Sequence, residues 1–263
     1  MIRSLWTGAS GMQAYQLQVD SIAHNVANVN TPGYRRSQVE FADLLYQETA
    51  DGRLLLGSGV QILSVSRDLT PAALEATGKP TDLAVAGDGF LMVDGGNFGT
   101  LYTRDGSLHV DADGRIVTAG GLALVIEPPP DVTGPVLIPA DAVDLAVSEE
   151  GILTYKLGGT DQAVVAGHIR LAIPVPSVPG RTVDMLPQGN NLFVPAQDTV
   201  MEIRAAADRG TGSIRQGYLE RSNVSLVDEF TDLIQAQRAY EFCAKAVETA
   251  DQMLAVANNI RRG

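Results

Sequence analysis

Asp111-Ala112-Asp113-Gly114 sets two carboxylates at alternate positions ahead of a glycine, as a calcium-binding loop begins. Such a loop needs a bidentate Glu at its twelfth position, which here is Leu122. Turn chemistry accounts for the run without a metal, because Asp and Gly are the residues a tight hairpin turn asks for. Gly87-Asp88-Gly89 lacks the third glycine and the following helix of a dinucleotide site. Neither a Gly-Lys-Ser/Thr phosphate loop nor a Gly-x-Ser-x-Gly elbow occurs. His24, His109 and His168 are too far apart to put two imidazoles on one helix face for zinc. Cys243 is the only cysteine, so no intramolecular disulfide can form, and it falls on a helical seam where a small apolar residue is wanted. Asn223-Val224-Ser225 matches a glycosylation triplet, a pattern too short to carry weight. The expectation is therefore no catalytic set, no metal and no cofactor: this chain reads as something other than an enzyme.

The elements that would hold such residues are more informative than the residues themselves. Ile2 to Val29 is expected to be one helix. Leu5, Gly8, Met12, Tyr15, Val19, Ile22, Val26 and Val29 recur in alternating steps of three and four, the heptad seam of a coiled coil. Thr31-Pro32-Gly33 ends it, since proline disfavours helix in its predecessor. A second helix is expected from Asn223 to Arg262, a stretch without Gly or Pro, with Ser222 or Asn223 as N-cap. Its seam runs Leu226, Leu233, Ala236, Tyr240, Cys243, Val247, Ala250, Leu254 and Ala257. Phe230, Ile234 and Met253 form a second apolar row. At about 1.5 Å per residue the helices would be roughly 40 Å and 55–60 Å long.

Between them the pattern changes to short alternating runs separated by turn clusters. Leu83/Val85, Phe90/Met92 and Leu108/Val110 read as strands, with Leu108–Val110 turning through Asp111–Gly114 into Arg115–Val117 as a hairpin. Further strands are expected at 143–147, 152–155, 164–173 and 191–194, with the Pro-rich 127–139 crossing an edge. The fold class is thus α+β: long N- and C-terminal helices forming a coiled-coil core domain (1–33 with 217–263), an extended linker or hairpin segment (34–80), and a mainly antiparallel β outer domain (81–216).

Net charge is −12, distributed as −1 over residues 1–50, −9 over 51–216 and −2 over 217–263. That excludes nucleic acid as a partner, which needs a basic surface to displace counterions, and argues against anionic membranes. There is no transmembrane run, so direct membrane insertion is not expected, nor does the N-terminus hold the apolar core of a cleaved signal peptide. Nearly neutral, apolar-striped ends on an acidic middle suggest a solvated body with association-competent ends. Neither seam has a third helix nearby, so both stripes are expected to be covered by other copies of the chain. The interface residues would be Leu5, Met12, Tyr15, Val19, Ile22, Val26, Leu226, Leu233, Tyr240, Val247 and Leu254.

Both ends resemble the flagellar axial protein family of rod, hook and hook-associated proteins. Ser4-Leu5-Trp6 and then Ile22 through Tyr34 are similar to its N-terminal Ala-Asn-Asn-Leu-Ala-Asn-x-x-Thr-x-Gly-Phe/Tyr signature, with Asn25, Asn28, Thr31, Pro32, Gly33 and Tyr34 in the motif. His24 stands where Asn is commoner and Val26 where Leu is. Gly217 through Val224, then Ile234-Gln235-Ala236-Gln237-Arg238-Ala239-Tyr240-Glu241 and Asp251-Gln252-Met253-Leu254 resemble the C-terminal signature. Asp82 through Phe90, Tyr102 through Ser107 and Val117 through Gly121 resemble the family's β domain. Asp43-Leu44-Leu45-Tyr46-Gln47 and Gly57 through Ile62 are similar to the post-helix segment of distal rod members, although the stretch between them reads shorter here.

That resemblance implies a homo-oligomeric helical rod, a hollow shaft that carries motor torque. Its implied partners are other rod subunits, the hook protein, the surrounding L/P ring bushing and the flagellar type III export apparatus. It implies a place in the periplasm-spanning basal body, reached without signal cleavage. The alternatives are a proximal rod or hook-type subunit, a secreted coiled-coil adhesin that closes into a small oligomer, and a β-rich hydrolase with paired carboxylates in a pocket.

Overall fold

The computed structural model describes residues 2–45, 47–48, 55–129, 134–158, 162–178 and 183–262. The chain is α+β, with a helix at each end and a mainly antiparallel β middle. It folds as two units. The helical unit comprises Met1–Val29, Arg36–Asp68 and Val224–Gly263; the β unit comprises Asn30–Arg35 and Leu69–Asn223.

In the helical unit, α1 spans Ile2–Ala27 and α2 spans Leu226–Arg262. α1 stops where Asn28 turns back, giving both its backbone and side-chain N–H groups to the His24 carbonyl. α2 begins three residues later than its sequence suggests. Asn223 is not available to cap, because its backbone N–H goes to the Tyr34 carbonyl and its amide to that of Thr70. Ser225 accepts the first helical bond, from Glu229 N–H. Asp228 and Glu229 then place negative charge at the positive end of the helix. Ser37–Asp43 pairs antiparallel with Val60–Arg67 in a two-stranded ribbon, irregular at Glu40/Phe41, that packs on α1. The short stretch between Gln47 and Gly57 falls mostly outside the described residues.

The β unit centres on a six-stranded antiparallel sheet. Its spatial order is Met185–Gly189, Leu192–Pro195, Thr100–Thr103, Phe90–Asp94, Arg170–Pro176, Thr199–Ala205. Strand alternation feeds two cores from the same residues. Leu91, Val93, Leu101 and Leu171 enter one cluster with Leu153 and Ile214, while their neighbours Phe90, Met92, Tyr102 and Ala172 enter another with Met185 and Phe193. A sheet apolar on both faces is covered on both. The hairpin expected at Leu108–Val110 is present, paired with Ile116–Thr118 across the Asp111–Gly114 turn. A three-stranded sheet of Ala142–Val147, Ile152–Leu157 and Ala163–His168 completes the unit's larger pieces. Gly106 fixes one crossing: a Cβ there would lie 1.5 Å from the Leu83 carbonyl oxygen.

Candidate functional site

α1 and α2 pack on each other, and small residues set how closely. Gly8 faces Val247 and Gly11 faces Cys243, so near that a Cβ on Gly8 would stand 2.6 Å from Val247 Cγ2. Ala14 and Ile22 on α1, and Ala236 and Ala250 on α2, are buried. This corrects the expectation that other copies alone cover the two stripes. Glycine and alanine on the facing seams let the chain's own two helices close over much of them. The seam residues read from sequence are accordingly divided. Ile22 is buried, Leu5, Met12, Tyr15, Val19, Val26, Leu233, Val247 and Leu254 are half-buried, and Leu226 and Tyr240 stay exposed.

What remains wet is a different face of α2. Val227, Phe230, Ile234, Phe242, Met253, Val256 and Ile260 are exposed, several by more than half. At about 100° per residue Val227, Phe230, Ile234 and Val256 lie roughly opposite the Ala236–Cys243–Val247–Ala250 seam, with Phe242, Met253 and Ile260 on its flank. Of the second apolar row, Phe230 and Ile234 belong to this outward face, while Met253, three residues from Ala250, is exposed at the edge of the inner stripe. Among the described residues, fifteen of the twenty-six exposed large apolar side chains lie in the helical unit, so the sticky surface sits with the helices.

Polar clamps fix the entry and exit of these helices. Asn25, 1 % exposed, donates to the Ser37 carbonyl and to Glu229, and accepts Ser37 N–H. Arg36 pairs with the fully buried Glu229 and with Asp232 at 2.8 Å. Burial works against the Arg36 charge, yet Glu229 and Asp232 together hold its pKa above the ordinary value. In the β unit, the buried Glu220 takes the buried Arg35 at 2.8 Å and Arg104 at 3.1 Å, and accepts the half-buried Ala72 N–H at 2.8 Å. Arg104 also donates to the Val85 and Gly87 carbonyls and lies over the Phe90 ring. Burial pushes its pKa down to about 10, against the attraction of Glu220.

The signature residues now have physical roles. Gly33 has φ +68 and its N–H donates to the Glu220 carbonyl; a Cβ would collide with the Arg104–Asp105 backbone at 2.5–2.8 Å, so only glycine fits. The Pro32 carbonyl accepts from Asn191, and Tyr34 is buried. Gln237 and Arg238 are exposed on α2 with Ala239 half-buried. The ion pairs of Arg35, Arg36, Arg104, Glu220 and Glu229 were not singled out from sequence. A cue existed, since Arg104 and Glu220 stand inside runs that resemble the family. Asp111 and Asp113 pair with Arg115, as a turn would. Among the described residues no cluster of His, Cys, Asp and Glu could hold a metal ion.

Three family descriptions match the chain. "Flagella basal body rod protein" covers residues 5–35, the D1 domain of "Flagellar hook protein FlgE/F/G" covers 84–155, and "Flagellar basal body rod FlgEFG protein C-terminal" covers 215–260. Over full length the chain is similar to flagellar basal-body rod proteins FlgG. It is 35 % identical to that of Borreliella burgdorferi, covering all of both chains. Against that of Caulobacter vibrioides it is 36 % identical over 99 % of this chain and all of the relative. The Bacillus subtilis protein is 32 % identical over all of both.

Proposed function

The chain belongs to the family of flagellar basal-body rod proteins, and we propose that it works as a structural subunit of the distal rod, polymerising through its helical unit into the shaft that joins motor to hook. The observation that carries this reading is the two-faced α2. Its inner face is occupied by α1, while its outer face carries Val227, Phe230, Ile234, Phe242, Met253, Val256 and Ile260 in water. Burying each such side chain is worth about 1.5–3 kcal/mol, so a row of them on a rigid helix favours association strongly. Exposed parts of Leu5, Met12, Tyr15, Val19, Leu226, Leu233, Tyr240 and Leu254 extend the surface, and coiled-coil packing between neighbouring copies is its natural form.

Repeated contacts between unlike patches propagate as an open helix, which suits a shaft. The acidic residues 51–216 favour an outward, solvated position for the β unit, facing the L/P ring bushing. Other rod subunits and the hook protein would meet the chain at the ends of the stack. A single cysteine leaves nothing to cross-link within the chain, which suits passage through the type III export apparatus to a periplasm-spanning site. The role is a scaffold's, without a catalytic step.

Electron microscopy of the purified, concentrated chain tests this. Filaments of constant diameter are expected, and deletion of residues 1–30 abolishes them while the β unit stays folded. A wild-type chain that stays monomeric at every concentration, or a deleted chain that still forms normal rods, overturns the proposal.

A further inference from the structure

We propose that Glu220 is a mechanical keystone, tying together every segment by which the chain enters or leaves the β unit, and that this tie stiffens the polymer. The inference rests on the rod-subunit reading and names the residues that make such a shaft rigid. The chain passes between the helical and β units four times, after Val29, Arg35, Asp68 and Asn223. On the β side it does so through three segments: Asn30–Arg35, residues 69–73 and residues 220–223.

One carboxylate reaches all three. Glu220 belongs to the last segment, and its side chain is closed to solvent. Its Oε1 accepts from Arg35 of the first segment and from the Ala72 N–H of the second, each at 2.8 Å. Its Oε2 accepts from Arg104 at 3.1 Å, and Arg104 is anchored in turn on the Val85 and Gly87 carbonyls. The backbone repeats the pattern. The Glu220 carbonyl accepts the Gly33 N–H at 2.8 Å, the Ala73 carbonyl accepts the Arg221 N–H at 3.0 Å, and Tyr218–Glu220 pairs with Leu74–Ala76. Asn223 completes the set, with its N–H on the Tyr34 carbonyl and its amide on that of Thr70.

A lone connecting strand has two soft dihedrals per residue, so a body hung on it swivels. Here no segment can turn without the other two, because these bonds join residues on different segments. Burial makes the tie firm: in a low-dielectric interior the ionised groups hold each other more strongly than an exposed pair does, and parting one leaves charge uncompensated. Bending or twist passed along the chain from the helical unit therefore enters the β unit through one fixed body and not through a hinge. Neither apolar core of the β unit contains Arg35, Ala72, Glu220 or Asn223, so the tie can be loosened without opening a core.

Arg35→Met removes one tie and leaves Glu220 matched with Arg104. In the free full-length chain, trypsin cutting after Arg221 requires the segments to part, whereas Arg209 lies in an exposed turn and serves as internal standard. The ratio of the two cuts, read by mass spectrometry, should rise about tenfold in Arg35→Met. Polymer of that variant should keep the wild-type diameter and sedimenting fraction, with a persistence length in micrographs severalfold shorter. Leu153→Ala, a fully buried change in a core that Glu220 does not enter, should lower the urea midpoint at least as much and leave the persistence length unchanged. Asn223→Ala, which removes an exposed tie to the Thr70 carbonyl, should move the cutting ratio and the persistence length the same way by less, and it decides the matter if Arg35→Met does not fold. Arg35→Met polymer as stiff as wild type, Leu153→Ala polymer equally softened, or an Arg35→Met chain that folds but no longer polymerises overturns the keystone while leaving the rod-subunit reading standing. A wild-type chain that never forms polymer overturns both.

Discussion

Arg35 and Glu220, 185 residues apart in the chain, meet at 2.8 Å with neither side chain reached by solvent. Arg104 joins the same carboxylate at 3.1 Å, so the buried cluster holds two positive charges and one negative. Removing the shared partner is the costly change, because it strands two guanidinium groups in the interior. Glu220→Gln should destabilise the β unit by about 3–5 kcal/mol. Arg104→Met should cost less, since Arg35 and Glu220 remain as a matched pair. Urea unfolding of both variants checks the order, and the reverse ranking would show that charge balance does not govern this cluster.

The same cluster sets an alkaline dependence. Burial lowers the Arg104 pKa from its ordinary value to about 10, with Glu220 opposing and Arg35 adding to the fall. Between about pH 10 and the ordinary guanidinium range the unfolded chain therefore binds more protons than the folded one, and this group's contribution to stability rises with pH. Below about pH 10 it is protonated in both states and contributes a constant penalty of roughly 3 kcal/mol. The free-energy difference between wild type and Arg104→Met should be level from about pH 6 to 9 and move in favour of wild type above about 10. Denaturant titrations at each pH read this, and a level difference up to about pH 11.5 contradicts it.

Gly8 offers a test by sign of the α1–α2 contact. Alanine normally gains about 0.5–1 kcal/mol over glycine within a helix. Here its Cβ would press on Val247 Cγ2 at 2.6 Å, so Gly8→Ala should lose stability in the wild-type chain. In a Val247→Ala background the obstruction is gone and the same change should gain it. A thermal-unfolding double-mutant cycle measures the coupling. Additive changes would mean that the helices do not meet at this pair.

Much of this was legible in the sequence because periodicity reports burial. The heptad spacing of Leu5 through Val26 gave α1 nearly end to end, and the Asp111–Gly114 turn gave its hairpin. What periodicity cannot report is which copy covers a stripe. Gly8, Gly11, Ala236 and Ala250 look the same whether the partner helix is the chain's own or a neighbour's, and the structure assigns them to the chain's own. Phe230 and Ile234 looked like a broader version of the inner stripe, yet they mark a separate face. Long-range ion pairs were hidden for another reason: Arg35, Arg104 and Glu220 are each unremarkable charges locally, and only the folded β unit brings them together.

The outer face of α2 separates folding from assembly. Phe230 and Phe242 are 52 % and 68 % exposed, so replacing either with Glu removes little that holds the lone chain together. Between copies the same change puts a carboxylate where an apolar ring should be covered, which strongly disfavours association because an unpaired buried charge is expensive. Phe230→Glu with Phe242→Glu should leave the circular dichroism and unfolding midpoint of the free chain within about 0.5 kcal/mol of wild type. Filaments should disappear from micrographs and the chain should sediment as a monomer. Loss of monomer stability would place these rings in the chain's own core. Filaments of unchanged diameter would show that the polymer is built through another surface, leaving the outer row without a partner.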